Sequence, residues 1–193
     1  MRIFLHICCG PCATYVVKHL RESDHALTGY FFNPNIHPCE EYERRLQGAE
    51  TFCHSVGLAL CLDRSGDRES WQDAVLQEPA KRCYLCYGLR LSKVAELAAR
   101  EGYDAFSTTL LISPFQQHEE IKRAGDEAAL RFGVAFHYAD WRSHFKLTYR
   151  LARERALYRQ KYCGCFLSER ERVADKGIAA LVQGSSKQLP VQS

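Results

Sequence analysis

The chain has 193 residues, of which 46% are hydrophobic and 25% charged, and its formal net charge is +3. These values are typical of one globular domain and exclude disordered and fibrous proteins. The sequence holds no apolar run of about 18 residues and no secretory leader, so we expect a cytoplasmic protein that does not span a membrane.

The first half of the chain alternates between predicted strands and helices. Apolar runs predict buried strands at 2–7, 26–32 and 58–62. Residues 13–23 and 39–57, which separate these runs, carry apolar side chains at helical spacing. We therefore expect two strand–helix units followed by a third strand.

The second half continues this alternation. Helices are predicted over 83–102 and 115–132, and strands over 104–111 and 134–138. Strands separated by helices form a parallel sheet with both faces covered. The predicted fold class is therefore α/β, a doubly wound parallel sheet of about five strands, with a helical C-terminal part from Asp140.

One metal-binding catalytic domain is predicted over 1–172. Its segment 142–172 is predicted to be helical and basic. The remaining residues, 173–193, are interpreted as a frayed C-terminal tail.

Clustered cysteines are the most unusual feature of this sequence. Ten are present, and in a reducing cytosol clustered cysteines bind metals or take part in redox chemistry more often than they form disulfides. Cys8, Cys9 and Cys12 directly follow the first strand, and sheets of this kind bind ligands at the carboxyl ends of their strands. A nucleotide-binding protein carries a glycine-rich phosphate loop at this place, so these thiols argue against such a loop.

Two further cysteine pairs occur at the spacing of metal ligands. Cys83 and Cys86 lie three residues apart at the start of a predicted helix, so their sulfur atoms point to one side. Cys163 and Cys165 flank Gly164, which lets the backbone turn tightly. Four such thiolates can hold either a tetrahedral zinc ion or a [4Fe-4S] cluster.

The first three cysteines are then left for a second metal or for catalysis. Neighbouring side chains of a regular strand face opposite sides, so Cys8 and Cys9 can share a metal only where the strand is broken, as at Gly10-Pro11. An iron with an incomplete set of protein ligands keeps open positions for a substrate. The sequence therefore predicts a reactive metal site here.

The other three cysteines are interpreted differently. Cys53 and Cys61 fall within a predicted helix and a predicted strand, where buried cysteines act as small hydrophobic residues. Cys39 lies in a strand-end loop at no metal-ligand spacing from another cysteine, and its role stays open.

A basic stretch runs from Arg142 to Lys161 and contains one acid, Glu154. Four of its basic residues recur at helical spacing, interleaved with two aromatic residues: Arg142, Lys146, Arg150 and Arg153, with Phe145 and Tyr149. Such a stripe fits an RNA phosphate backbone with aromatic rings for base stacking, or else forms only a solvated helix face. Its position directly before Cys163 favours RNA binding.

Five segments carry a resemblance to a known family: LHICCGPC (5–12), FFNPNIHPCEEYERR (31–45), KRCYLCYGLRL (81–91), STTLLISPFQQHEEI (107–121) and YRQKYCGCFLSERER (158–172). Together with Asp140 and Trp141 they resemble the QueH family of epoxyqueuosine reductases over about residues 3–172. The resemblance implies a Rossmann-like sheet of the nucleotide α-hydrolase type. It also implies an oxidoreductase of queuosine biosynthesis, which reduces the epoxide of epoxyqueuosine at the wobble position of tRNA.

The resemblance implies cofactors and partners as well. It assigns a [4Fe-4S] cluster to the two cysteine pairs: Cys83, Cys86, Cys163 and Cys165. It assigns a separate mononuclear iron to Cys8 and Cys9, and it leaves Cys12 either as a further ligand or as a free thiol. The partners are a tRNA that carries epoxyqueuosine and an electron donor that the sequence does not identify.

Opening the epoxide also needs a proton donor. The candidates near the strand ends are His37, Asp140 and His6, of which His6 is the weakest because a packed strand residue is expected at this position. Cys12 is a further candidate for a catalytic residue. Polar residues after the strands can contact the base or ribose, although turn and cap roles also explain them: Asn33, Asn35, Thr108, Thr109 and Ser113. The basic residues that would contact the tRNA are Arg142, Lys146, Arg150 and Arg153.

Two other functions remain open at this point. A zinc-stabilised tRNA-binding protein without catalysis would use the two cysteine pairs as a closed structural site, but it leaves the segment CCGPC unexplained. An ATP-dependent tRNA-thiolating enzyme on the same fold would need a pyrophosphate loop of the type SGGxDS after the first strand, where this sequence has CCGPCA.

Overall fold

The structure is a computed structural model and describes residues 1–65 and 68–174. Five parallel strands form one sheet in the order β3-β2-β1-β4-β5. Their bounds are Arg2–His6 (β1), Ala26–Phe31 (β2), Leu60–Leu62 (β3), Ala105–Thr108 (β4) and Ala135–Phe136 (β5). The predicted doubly wound α/β fold with about five strands is confirmed.

Helices connect the strands and cover the sheet. Their bounds are α1 (Gly10–Glu22), α2 (Cys39–Ser55), α3 (Arg68–Gln77), α4 (Arg82–Arg100), α5 (His118–Phe132) and α6 (Phe145–Glu154), and residues 166–174 belong to a further helix, α7. Helix α1 packs against α2 and α6, while α4 packs against α5. Because right-handed crossovers run outward in both directions from the centre of the sheet, these two groups of helices cover opposite faces. Within 1–65 and 68–174, no helix is long and apolar enough to cross a membrane.

The order of the strands determines where a ligand-binding crevice lies on this sheet. Strand β1 lies at the centre, where Ile3, Phe4 and Leu5 are buried. The chain passes from β1 to β2 on one side and later enters β4 on the other, so the order reverses beside β1. The carboxyl ends of β1 and β4, where His6 pairs with Thr108, therefore form the crevice in which doubly wound sheets bind ligands.

Several strands are shorter than expected. Strand β4 ends at Thr108, because the Oγ1 of this residue accepts a hydrogen bond from the N–H of Leu110 and a 3₁₀ turn follows over Thr109–Ile112. The strands expected at 58–62 and 134–138 also lose residues at their ends.

The basic stretch is not one continuous helix. Helix α6 ends at Glu154, and the φ angle of Ala156 is 51°, a left-handed conformation that stops the helix. A non-helical segment then leads to α7. The C-terminal part is helical as predicted, but in two pieces. The predicted tail, 173–193, lies outside the described residues from position 175 onward.

Candidate active site between two groups of cysteines

Cys8, Cys9 and Cys12 lie at the carboxyl end of β1, and we call them the three-thiol group. Strand β1 ends at His6 and α1 begins at Gly10, so the backbone between them no longer alternates as a strand does. The three Sγ atoms lie within 4.8 Å of one another, and all three residues are buried. Three thiols at this spacing can hold a metal ion.

Hydrogen bonds from two other segments hold the three-thiol group in place. The Thr109 Oγ1 donates to the Cys8 Sγ over 3.2 Å and accepts from the Cys8 N–H over 3.0 Å. The Gln160 Nε2 donates to the Cys9 Sγ over 3.0 Å. Hydrogen bonds from Cys12 and Cys9 keep the pKa of the Cys8 thiol well below its ordinary value. Burial raises the pKa of the Cys9 thiol, and the hydrogen bond to Cys8 raises that of Cys12. Cys8 is therefore the cysteine of this group that favours the thiolate, which is the form that binds a metal.

The second group joins the first turn of α4 to the loop before α7, and we call it the four-thiol group: Cys83, Cys86, Cys163 and Cys165. All four side chains line one small cavity. A hydrogen bond from Cys165 lowers the pKa of the Cys163 thiol to about 5. The structure thus brings together the two cysteine pairs, although Cys83 and Cys163 lie about 80 residues apart in the sequence.

Gly164 gives the loop of the four-thiol group its shape. Its φ angle is 109°, which side chains of L-residues rarely permit. A Cβ atom at this position would lie 3.0 Å from Nη1 of Arg45 and 3.1 Å from Cγ1 of Ile36. Both the turn and the close approach therefore require glycine, in agreement with the predicted tight turn.

Arg45 of α2 ties this loop to the rest of the domain, and it is only 3% exposed. Its Nη1 and Nη2 donate to the carbonyl oxygens of Cys163 and Tyr162 over 2.9 and 3.0 Å. Its Nε donates to the buried carboxylate of Glu41 over 2.7 Å, which compensates the buried charge. Arg45 could not be identified from the sequence, because no spacing links it to the cysteines.

A cavity of about 480 Å³ opens between the two groups of cysteines, and we call it the main cavity. Cys8 and Cys12 line it together with Cys163. Leu110 and Gln116 line both the main cavity and the small cavity of the four-thiol group. Cavities of this volume commonly take small ligands, so one ligand here could lie beside thiols of both groups.

The remaining walls of the main cavity are aromatic and basic. Phe115, Phe145 and Tyr149 contribute rings, and Lys161 contributes an ammonium group. Gln160, which bonds to the three-thiol group, also lines this cavity. Aromatic faces beside a cation are typical of sites that bind single-stranded nucleic acid.

The structure separates the five polar residues that were predicted to contact the substrate. Ser113 lines the main cavity, and Asn35 lines the cavity of the four-thiol group. Thr109 bonds to the three-thiol group. Asn33 and Thr108 instead make hydrogen bonds to backbone atoms of neighbouring segments. Direct substrate contact by these five residues stays a prediction.

The predicted proton donors and Cys12 also occupy different places. His6 is fully buried in β1, where it bonds to Thr108 and to the carbonyl oxygen of Phe32. Cys12 lines the main cavity, whereas His37 and Asp140 are not among the described residues of its walls. The exposed His37 approaches Glu169, with 3.3 Å between Nδ1 and Oε2. Hydrogen bonds from Arg142 lower the pKa of Asp140 to about 2, so this carboxyl group carries no proton at neutral pH.

The basic stripe contains both paired and unpaired charges. Arg142 and Arg150 form ion pairs with carboxylates. Among the ion pairs of residues 1–65 and 68–174, none includes Lys146, Arg153 or Lys161, and all three side chains are exposed. These three charges are the ones best placed to bind phosphate groups.

The cysteines outside the two groups differ in burial. Cys53 is buried, as predicted, but Cys61 is exposed. The prediction of a buried Cys61 is wrong, because β3 is the edge strand of the sheet and its side chains are not fully covered. Cys39 is exposed at the first position of α2.

Comparison with known proteins gives a consistent result. Residues 3–171 match the family model described as epoxyqueuosine reductase QueH. The epoxyqueuosine reductase QueH of Dehalococcoides mccartyi is 36% identical over 171 residues, which cover 89% of this chain and 94% of that protein. The QueH of Thermotoga maritima is 32% identical, with 88% and 91% covered.

Among solved structures, a predicted subunit of tRNA methyltransferase from Methanocaldococcus jannaschii has a similar fold. Its TM-score is 0.55 at 14% identity, with 80% of this chain and 75% of that chain covered. At this identity the likeness supports the fold alone.

Proposed function

The chain belongs to the QueH family of epoxyqueuosine reductases, and from this membership we propose that its main cavity binds the modified base of a tRNA and is the place of reduction. The protein is an oxidoreductase that converts epoxyqueuosine in tRNA to queuosine. The main cavity is chosen because thiols of both groups line it, namely Cys8 and Cys12 of the three-thiol group and Cys163 of the four-thiol group.

The reaction sets the requirements on this cavity. Two C–O bonds of the epoxide break, the two carbons become an alkene, and the oxygen leaves as water. The conversion consumes two electrons and two protons. A site for it must therefore accept electrons from a donor, bind the base firmly, and bring protons to the leaving oxygen.

The donor atoms present fit the two metal cofactors of the proposal. Seven thiols in two groups are too many for one four-ligand site, and the four-thiol group, whose side chains line one cavity, has the number of thiols that a [4Fe-4S] cluster takes. Cys8 and Cys9 would hold a mononuclear iron, with Cys12 as a further ligand or a free thiol. When bound, these groups supply single electrons and Lewis acidity.

The protein's own residues would bind and enclose the base. Leu110, Phe145 and Tyr149 provide apolar surface in the main cavity against which the base would pack. Ser113 and Gln116 offer polar atoms at the same wall. The base would thus be held by ring contacts and oriented by a few polar contacts, as is usual for small-ligand sites.

The proton for the leaving oxygen would come from the wall of this cavity. Of the predicted catalytic residues, Cys12 lines the main cavity and would be the donor where it is a free thiol, while Asp140 is ionised at neutral pH. Lys161 lies in the same wall and carries exchangeable protons. The tRNA backbone would be bound by the unpaired charges of Lys146, Arg153 and Lys161.

The experiment combines composition and activity. Anaerobically purified protein is measured for iron, acid-labile sulfide and visible absorption, and tRNA treated with the reduced protein is digested and its nucleosides identified by mass spectrometry. We expect about five irons and four sulfides. Cys83→Ala should lose the cluster absorption, and Cys8→Ala should lose about one iron and keep the cluster.

Cys61→Ala is the matched control, because this cysteine is exposed in β3 and belongs to neither group. It should keep full metal content and activity. A colourless wild-type protein that holds only zinc, and that cannot be loaded with iron and sulfide, would contradict the proposal and favour a structural RNA-binding site.

A further inference from the structure

Phe115 is 80% exposed at the rim of the main cavity. It lies in the turn between the 3₁₀ segment after β4 and the start of α5. A large apolar side chain exposed at the edge of a cavity indicates a binding surface, because water contact with the ring is unfavourable in the free protein.

The turn that carries Phe115 is fixed by hydrogen bonds. The backbone N–H of Phe115 donates to the Ser113 Oγ, and that of Gln116 donates to the Ser113 carbonyl, both over 3.3 Å. The hydroxyl group of the buried Tyr87 donates to the Gln116 Oε1 over 2.7 Å. The ring is therefore presented by an ordered turn, which lowers the entropy cost of binding to it.

Other aromatic rings continue the surface that Phe115 begins. Phe115 and Phe145 pack edge to face with 5.6 Å between ring centroids, and Phe145 packs in the same way against Tyr149 at 5.1 Å. The guanidinium of Arg159 lies 3.7 Å from the centroid of the Tyr149 ring. The rim thus holds three rings in contact and a cation above one of them.

The charges beside this surface select the kind of partner. Lys146 and Lys161 are exposed and belong to none of the ion pairs in the described part of the chain. Flat rings flanked by unpaired cations fit a single-stranded nucleic acid, whose bases stack and whose phosphates are anionic. An apolar peptide or a second copy of this basic face would leave these charges without anionic partners.

We propose that Phe115 is a stacking platform for a nucleobase next to the modified base in the anticodon loop. This inference rests on the proposed function, in which the modified base enters the main cavity. A ring at the rim is then placed beside the neighbouring nucleotide, which loses a stacking partner when the modified base leaves the loop. Phe115 would thereby help to hold the loop open.

The test uses fluorescence anisotropy to measure the affinity of the metal-loaded protein for a tRNA anticodon stem–loop. Phe115→Ala should weaken binding about tenfold or more, as expected for the loss of one base–aromatic stack. Phe115→Trp, which keeps an aromatic face, should bind about as tightly as the wild type. Phe115→Leu, which keeps apolar bulk without an aromatic face, should bind as weakly as Phe115→Ala. Leu130→Ala is the matched control, because Leu130 is 87% exposed on α5 and lies outside the walls of the main cavity.

Two further RNAs identify the stacked base. Stem–loops that lack the base on the 5′ or the 3′ side of the wobble position are tested with the wild type and with Phe115→Ala. At one of these positions, loss of the base should weaken wild-type binding and have almost no further effect on Phe115→Ala. A purely structural role for Phe115 would not produce this non-additivity.

The outcomes separate the inference from the proposed function. Wild-type binding that Phe115→Ala leaves unchanged overturns the stacking platform and leaves the proposed function standing. Additive losses at both base positions overturn it as well. A wild-type protein that binds no stem–loop and reduces no tRNA overturns both, and a Phe115-dependent dimer in solution would show that a second copy covers the ring.

Discussion

The guanidinium of Arg90 donates to the Sγ of Cys86 over 3.1 Å, and the two residues are only 4% and 7% exposed. None of the ion pairs within the described residues includes Arg90. A buried cation needs an anion nearby. Burial raises the pKa of the Cys86 thiol to about 11, so the counter-charge of Arg90 would come from the thiolates of the four-thiol group once they hold the proposed cluster.

This contact predicts an effect on the reduction potential of the proposed cluster. A positive charge and a hydrogen bond at a ligating sulfur stabilise the more negative, reduced state of a cluster. Arg90→Met should lower the midpoint potential by roughly tens of millivolts, and Arg90→Lys should lower it less. The measurement is a redox titration followed by electron paramagnetic resonance.

Arg100→Met serves as the control, since Arg100 is exposed at the other end of the same helix. Equal potentials in all four proteins, with equal iron and sulfide contents, would show that Arg90 has only a structural role.

A second prediction concerns the close approach of α1 and α2 beside the three-thiol group. A Cβ atom on Gly10 would lie 2.3 Å from the carbonyl oxygen of Gly48, whereas a Cβ atom on Gly48 would have no neighbour within 4 Å. Gly10→Ala should destabilise the protein by about 1–3 kcal/mol, as overpacking does. Gly48→Ala, within α2, should stabilise it by up to about 1 kcal/mol.

Thermal unfolding of the two variants at equal metal content measures this pair. Both glycines lie at the contact between α1 and α2, but only the Cβ position of Gly10 points into it, so Gly48→Ala is the control for Gly10→Ala. A Gly10→Ala protein as stable as the wild type would contradict the prediction, since it would mean that α1 and α2 move apart at little cost.

Much of the fold could be predicted from the sequence, because apolar runs and helical spacing report burial directly. The strands at the centre, β1 and β2, were predicted within one residue of their ends. Strand β4 was predicted too long, since the side chain of Thr108 starts a turn within an apolar run. Continuous apolar sequence cannot distinguish a strand from a buried 3₁₀ turn.

The site was predictable only where its residues have regular spacing. The cysteines stand in compact motifs, and the structure brings the two distant pairs to one cavity. Arg45, Arg90 and Gln160 were not identified, because each acts through a contact that the tertiary fold creates. Their sequence signal was confined to the quoted family segments, which contain them without assigning a role.

A third prediction is a pH dependence of stability that arises from a cluster of histidines. Burial, followed by the neighbouring His25 and His19, lowers the pKa of His137 in the folded protein. Below the pKa of an unfolded histidine, about 6.5, the unfolded chain takes up a proton that the folded protein does not. Stability should therefore fall as the pH is lowered from about 6.5.

Thermal unfolding at pH 7.5 and pH 5.5 checks this dependence. His137→Gln should reduce the loss of stability between the two values, whereas a change at the exposed His54 of α2, His54→Gln, should leave it almost unchanged. An equal loss in His137→Gln and in the wild type would assign the pH dependence to other groups.

The last prediction concerns Gln160, whose amide joins the segment after α6 to the three-thiol group. Its Nε2 donates to the Cys9 Sγ, and its Oε1 is buried with no hydrogen-bond partner among the described residues. Burial of this unbonded oxygen costs free energy. The hydrogen bond from Nε2 to the Cys9 thiol is therefore the contact that holds the amide in place. Gln160→Leu should weaken metal binding at the three-thiol group by about 10- to 100-fold.

The affinity is measured by titrating Co²⁺ into protein that holds the proposed cluster but has been depleted of the proposed mononuclear iron, and by following the thiolate-to-cobalt absorption. Gln47→Leu is the control, since Gln47 is exposed on α2. If Gln160→Leu binds Co²⁺ as tightly as the wild type, the amide only fills space. If the affinity falls while the cluster absorption is kept, the hydrogen bond to Cys9 stabilises the thiolate ligand itself, and the basic segment is coupled directly to the metal site.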